Sequence, residues 1–238
     1  MSSGRAVRLA VMQPYFFPYV GYFQLIAAAD VFVVYDNIQY TKRGWINRNR
    51  ILRDGAAVKL SLPLKGASDY LDVRERELAE DFRRGKMLNQ IKGAYQGAPF
   101  FEQTFAVIED IVQNGENNLF GYLLHSIGVL CALLGLTATI RISSQVEIDH
   151  GLQGQDKVLA LCRTLGAATY VNAIGGTALY SHDAFAAQGI DLQFIRSKPF
   201  EYAQFGRPFV PFLSIIDVLM FNPLELVRAR VMNDYELI

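Results

Sequence analysis

No excess of either charge sign marks this sequence: 23 Lys and Arg stand against 23 Asp and Glu in 238 residues. With no net field to draw the chain to nucleic acid or to an anionic membrane, any recognition of phosphate or carboxylate falls to local basic patches. Cysteine is scarce. Cys131 and Cys162 have neither metal-site nor disulfide-framework spacing, and both read as buried free thiols on apolar helical faces. The sequence offers no Ser-His-Asp or Cys-His constellation, which argues against a covalent enzyme intermediate. His125 lies on an apolar helix and reads as a core residue, His182 as a cap-region or surface residue, and His150, beside Asp149, points neither way. The most apolar stretch, Leu119 to Leu136, contains Tyr122, His125, Ser126 and glycines, and reads as a buried helix rather than a membrane span. Met1-Ser2-Ser3-Gly4-Arg5 has no signal-peptide or lipidation pattern, so a cytoplasmic location is expected. No repeat or low-complexity linker interrupts the chain, and nothing in it sets an oligomeric state.

What is present is alternation of strand and helix. An apolar run, Val7 to Val11, precedes a loop, a helical pattern from Phe23 to Ala29 and a second apolar run, Val31 to Tyr35. After Leu136 the alternation returns, with strands expected near Thr139, Thr169 and Leu192, helices at Lys157–Leu165 and Asp183–Gln188, and a helical tail at Leu213–Met220 and Pro223–Val231. Ala57 to Leu64 alternates as a half-buried strand and is assigned to the same sheet. Between them, residues 80–136 carry helical periodicity. The expected architecture is one α/β domain over residues 1–238: a mostly parallel, Rossmann-like sheet with flanking helices and an inserted helical layer.

In open α/β sheets, ligands collect at the carboxyl ends of strands. The loop after the first strand, Gln13-Pro14-Tyr15-Phe16-Phe17-Pro18-Tyr19-Val20-Gly21-Tyr22, holds more rigid rings than a turn needs for packing. Gln13, Tyr15 and Tyr19 are therefore candidate binding residues, and the Tyr22 phenol a candidate catalytic donor to a phosphate or developing oxyanion. Tyr19-Val20-Gly21-Tyr22 occupies the place of the His-x-Gly-His motif of nucleotidyltransferases, but phenols replace both imidazoles and bring no positive charge.

The second loop, Asp36 to Arg50, is the densest polar stretch. Lys42, Arg43, Arg48 and Arg50 suit phosphate or carboxylate, Trp45 offers a face to a sugar ring or base, and Asp36, Gln39, Asn47 and Asn49 supply polar contacts. The bland alternative is a solvated loop anchored by one tryptophan. A third loop contributes Asn172, Gly175, Gly176 and Tyr180, with Ser181 or Asp183 as the helix cap. All three loops are expected to line one pocket. Asp217, an acid within the apolar run Ser214-Ile215-Ile216-Asp217, must be paired or protonated if buried; it either locks a loop arginine or acts as a general base. No metal ligands are assigned.

Met12–Ile26 (MQPYFFPYVGYFQLI), Tyr35–Leu52 (YDNIQYTKRGWINRNRIL) and Leu213–Pro223 (LSIIDVLMFNP) together resemble the WbqC-like family, whose members are commonly encoded among surface-polysaccharide, including O-antigen, and other secondary biosynthetic genes. That resemblance implies a transferase decorating an amino sugar or similar amine, but brings no catalytic residues with it. Two readings follow. In the first, a small acyl or aminoacyl group moves to an amine on a nucleotide-linked amino sugar or carrier-bound intermediate, with a phosphopantetheine-type donor as one possibility. In the second, the chain is an ATP- and magnesium-dependent ligase or nucleotidyltransferase. A noncatalytic sugar or nucleotide binder would use the same aromatic and amide groups.

Overall fold

The computed structural model describes residues 6–238 apart from residues 67, 69 and 207. Met1–Arg5, on which the cytoplasmic expectation drew, lie outside the described residues. Five parallel strands, β1 (Val7–Met12), β2 (Val31–Val34), β5 (Thr139–Ile142), β6 (Ala167–Ala173) and β7 (Asp191–Ser197), form a sheet closed on one edge by antiparallel β8 (Tyr235–Leu237). Its order is β5-β2-β1-β6-β7-β8, so the chain builds outward in one direction from β1 and then in the other. The switch point lies between β1 and β6, where the ends Met12 and Ala173 diverge and leave a crevice.

Both faces of the sheet are covered, and this explains the near-continuous apolar runs of its strands. Ala10, Phe32, Val34, Val171 and Ile195 face a large core shared with α1 (Val20–Ala27), α2 (Arg84–Tyr95), α3 (Phe101–Gln113), α4 (Leu119–Leu134), α7 (Ile215–Phe221) and α8 (Leu224–Asn233). Leu9, Val11, Val33, Tyr170, Leu192 and Phe194 face a smaller core with α5 (Gly154–Thr164) and α6 (His182–Ala186). The inserted helices α2 to α4 thus share buried side chains with one face of the sheet. Asn118 caps α4 by accepting from the Gly121 amide at 3.0 Å. Among the described residues, no helix is long and apolar enough to cross a membrane.

The strand expected at Ala57–Leu64 does not join the main sheet. It is β4 (Ala56–Ser61), paired only with β3 (Arg48–Arg53) in an antiparallel hairpin. Asp54 and Gly55 both take positive φ, 53° and 79°, which is the two-residue turn whose twist matches a hairpin. The Asp-Gly pair was the sequence signal for this hairpin, and the arginine-rich segment read as a loop is its first strand. His125 is exposed, contrary to the core assignment, because it lies on the outer face of α4. Cys131 and Cys162 are buried free thiols, and burial pushes both up to about 12.

Candidate functional site

The segments Met12–Ile26, Tyr35–Leu52 and Leu213–Pro223 converge. The Phe16 amide donates to the Trp45 carbonyl at 3.1 Å, the Ser214 amide to the Arg50 carbonyl at 2.9 Å, and the Ile215 amide to the Pro18 carbonyl at 2.8 Å. At their centre the aromatic turn is strained: Phe17 has φ 42°, which a bulky side chain rarely tolerates. Asn49 holds it there, its Nδ2 donating to the Phe16 and Phe17 carbonyls at 3.1 and 2.8 Å, while Ser214 Oγ donates to the Phe17 carbonyl at 2.8 Å.

Two clefts open at the strand ends, where the sequence pointed to one pocket. An apolar cleft of about 710 Å³ runs between the start of α1, the Trp45–Arg50 segment, the end of β7 and the loop that follows it. Tyr15, Tyr19, Trp45, Phe200, Tyr202, Phe209 and Phe212 give it an aromatic wall. A polar cleft of about 890 Å³ lies over the β1/β6 switch point, lined by Gln13, Tyr35, Asn37, Gln39, Asp72, His150, Gln153, Lys157, Asn172 and Tyr180. Both volumes suit small-molecule ligands. Met12, Tyr15 and Ala173 line both clefts and form their common wall.

The second loop divides between the two clefts, which is why they did not read as separate sites. Asn37, Ile38 and Gln39 serve the polar cleft; Trp45, Asn49 and Arg50 serve the apolar one. Asp36, Lys42, Asn47 and Arg48 line neither. The Asp36 carboxylate is taken by Ser143 Oγ at 3.0 Å, the Ser144 amide at 2.9 Å and Ser144 Oγ, tying the end of β2 to the turn after β5. Asn47 accepts from the Tyr40 hydroxyl at 2.8 Å and donates to the Leu62 carbonyl at 2.9 Å. Arg48 Nε donates to the Gly44 carbonyl at 3.0 Å.

Both candidate catalytic groups are committed to the fold. The Tyr22 hydroxyl donates to the Gln13 carbonyl at 3.0 Å, and burial holds its proton well above the ordinary phenol range. Asp217 is fully buried and engages no arginine among the described residues: it accepts from the hydroxyls of Tyr95 and Tyr202 at 2.8 and 2.7 Å and from Gln204 Nε2 at 2.6 Å. Three neutral donors satisfy the carboxylate where a lone charge would be costly.

Within the polar cleft, Lys157 is 6% exposed, and its Nζ donates to the carbonyl and Oδ1 of Asn37 at 3.1 and 3.2 Å. Ser143 Oγ, its one proton shared with the Asp36 carboxylate, also reaches Asn37 Oδ1. These donors fix the Asn37 amide so that Nδ2 meets His150 Nδ1 at 3.0 Å, leaving the imidazole proton on Nε2. Burial lowers the Lys157 pKa, against the opposing pull of Asp72 and Asp36. Asn172 is buried, with its Oδ1 on the Ala173 amide at 2.9 Å; its Nδ2 lies 2.2 Å from where a Cβ on Gly176 would stand. Gly176 is thus glycine to let the Asn172 amide lie across it. Gly175 has open space at the same point. Tyr180 stacks edge-on against Tyr170 and accepts its hydroxyl at 3.4 Å. Ser181 caps α6, accepting from the Ala184 amide at 3.4 Å.

Sequence reasoning missed Lys157, Gln153 and, in the loop after β7, the cleft residues Lys198 to Tyr202 with Phe209 and Phe212. That loop lacks any period, and its prolines and phenylalanines read as irregular chain. A hint was available in its density of rings, the same signal that marked the first loop.

A curated relative, the uncharacterized protein Rv1507c of Mycobacterium tuberculosis (strain ATCC 25618 / H37Rv), is 26% identical over 218 residues, covering 90% of this chain and 93% of that protein. No solved structure matches the chain. The WbqC-like protein family matches residues 13–229, a span that takes in nearly all of the lining of both clefts, and the chain belongs to that family.

Proposed function

We propose that this protein is a transferase of polysaccharide or secondary-metabolite biosynthesis, moving a small acyl or aminoacyl group directly onto the amine of an amino sugar or a similar acceptor. The observation that carries this reading is the pair of clefts of opposite character sharing the wall Met12, Tyr15 and Ala173. A binder needs one site. Group transfer between an apolar-tailed donor and a polar acceptor needs two that adjoin, so that the reacting atoms are held together.

The amide-rich cleft suits the acceptor: Gln13 and Gln153 pair with hydroxyls in either direction, Asn172 offers its Nδ2, and Tyr35 and Tyr180 offer ring faces. The donor's carbonyl lies at the common wall. There the amine nitrogen attacks the carbonyl carbon, the new C–N bond forms, the bond to the leaving group breaks, and the departing group carries off the amine proton. Tyr15 faces both clefts, and no described residue takes its hydroxyl. Burial raises its pKa, so it stays protonated and donates to the carbonyl oxygen as negative charge develops.

The test is an assay of purified protein with nucleotide-linked amino sugars and a panel of acyl donors, read by mass spectrometry of the acceptor. An acylated amine that requires both substrates is the expected result. ATP consumption with magnesium and no acyl transfer would instead favour a ligase or nucleotidyltransferase.

A further inference from the structure

The lining of the apolar cleft carries more positive than negative charge. Its cations are Arg50 from β3 and Arg196 and Lys198 from the end of β7, against a single carboxylate on the lining, Glu201. Arg196 makes a long contact of 3.9 Å with Glu236. No carboxylate among the described residues pairs with Arg50 or Lys198. The Arg50 guanidinium lies over the Trp45 ring, 5.4 Å from its centroid, and donates one bond to the Phe212 carbonyl at 3.1 Å, while its Nε has no partner.

The hairpin adds to this excess. Arg50 stands directly opposite Lys59 in the β3/β4 register, and like charges in that position repel. From residue 40 to residue 66 the sequence has seven Lys and Arg and one acid, Asp54. Within it Lys65 pairs with Glu77 and Glu80 at 3.2 and 3.0 Å and Arg53 with Asp54 at 3.6 Å, which leaves the Arg50 charge without a carboxylate among the described residues. It sits beside Trp45 and Phe212, which are 41% and 65% exposed and mark the cleft's outer end, while Tyr15 marks the inner end next to the acceptor.

Resting on the acyl-transfer reading, we infer that the apolar cleft binds a phosphate ester carried on a flexible thioester arm, of the phosphopantetheine class. The phosphate sits at the outer end with Arg50 and Lys198, and the arm runs along the aromatic wall to present its acyl carbon beside Tyr15. Guanidinium and ammonium groups next to an aromatic face read the phosphate; the apolar lining takes the acyl chain. The same arm occurs on free coenzyme A and on acyl carrier proteins, and the chemistry at the cleft is common to both.

Trp45 is the chain's sole tryptophan, so its emission reports on this cleft alone. Titrations of the full chain with 4′-phosphopantetheine, pantetheine, coenzyme A and a phosphopantetheinylated carrier protein, at low and high salt, test the inference. Phosphopantetheine is expected to perturb Trp45 and to bind about ten- to a hundredfold more tightly than pantetheine, with the gap narrowing as salt rises. Lys198→Ala, whose side chain holds no other element, and Arg50→Ala should each shrink that gap, with thermal melts confirming folding. Carrier protein binding more tightly than coenzyme A identifies the carrier as the source, and the reverse identifies the free cofactor; either supports the inference. Equal binding of pantetheine and phosphopantetheine, or no change in Trp45 emission with any of them, overturns it. Acyl transfer from a phosphate-free thioester such as an N-acetylcysteamine ester would still register in that case, so failure here is separable from failure of the transferase reading.

Discussion

The hydroxyl of Tyr202 donates to Asp217 Oδ2 at 2.7 Å, joining the loop that walls the apolar cleft to a carboxylate with no exposure to solvent. Gln204, on the same loop, donates to the same oxygen and ties the Val210 amide with its own Oε1 at 2.7 Å. Tyr95, which donates to Oδ1, also accepts from the Leu52 amide at 2.8 Å, so β3, α2, α7 and the loop meet at one residue.

Burial outweighs the three donors and raises the Asp217 pKa above its ordinary 3.8. Between 3.8 and the shifted value the folded chain holds a proton that the unfolded chain releases, so this group's contribution to stability is fully present below 3.8 and declines as pH rises through the shifted value. Asp217→Asn removes that dependence and turns an amide donor toward donors, at a cost of about 1–3 kcal/mol. Denaturant melts across pH should show the wild type's advantage over Asp217→Asn largest in acid and shrinking toward neutrality. An advantage that grows with pH contradicts the assignment.

Asn49→Ala should cost about 1–3 kcal/mol, because it removes the side-chain donor to the Phe16 carbonyl, leaves the Phe17 carbonyl to Ser214 Oγ alone and loosens a turn held at positive φ. Arg48→Ala, which gives up one bond to the Gly44 carbonyl, should change stability by less than about 0.5 kcal/mol. Chemical denaturation of the two variants side by side is the measurement; similar losses would mean that the basic hairpin acts as a single structural unit.

Two adjacent glycines separate packing from surface. Gly176→Ala should displace the Asn172 amide, costing about 1–3 kcal/mol and weakening acceptor binding in the polar cleft, whereas Gly175→Ala meets no atom within 4 Å and should leave both unchanged. Calorimetric titration with an amino sugar nucleotide on each variant reads the difference.

Tyr15→Phe removes one hydroxyl from the common wall and, among the described residues, no hydrogen bond from the fold. In the proposed reaction, turnover should fall by about a hundredfold with little change in KM or melting temperature. A loss confined to KM would make Tyr15 a binding contact instead.

Local sequence determined the elements. The apolar runs of β1, β2, β6 and β7 could be read as buried parallel strands because both neighbours along the chain and both sheet faces demand apolar side chains. The aromatic first loop was legible for a similar reason: Tyr15 and Tyr19 follow a strand end, where ligands gather, and both line the apolar cleft. Partner choice among polar groups was decided only by the tertiary structure. Asn49 clamps Phe17 from 32 positions away, Asp217 collects Tyr95 from 122 positions away, and Lys157 reaches Asn37 across 120. A polar side chain is defined by the donor or acceptor it meets, and these meet theirs through chain crossings that leave no periodic trace in sequence. The division of one expected pocket into two clefts has the same origin: β3 pairs with β4 outside the main sheet, placing Trp45, Asn49 and Arg50 on one side of the wall at Tyr15 while Asn37 and Gln39 remain on the other.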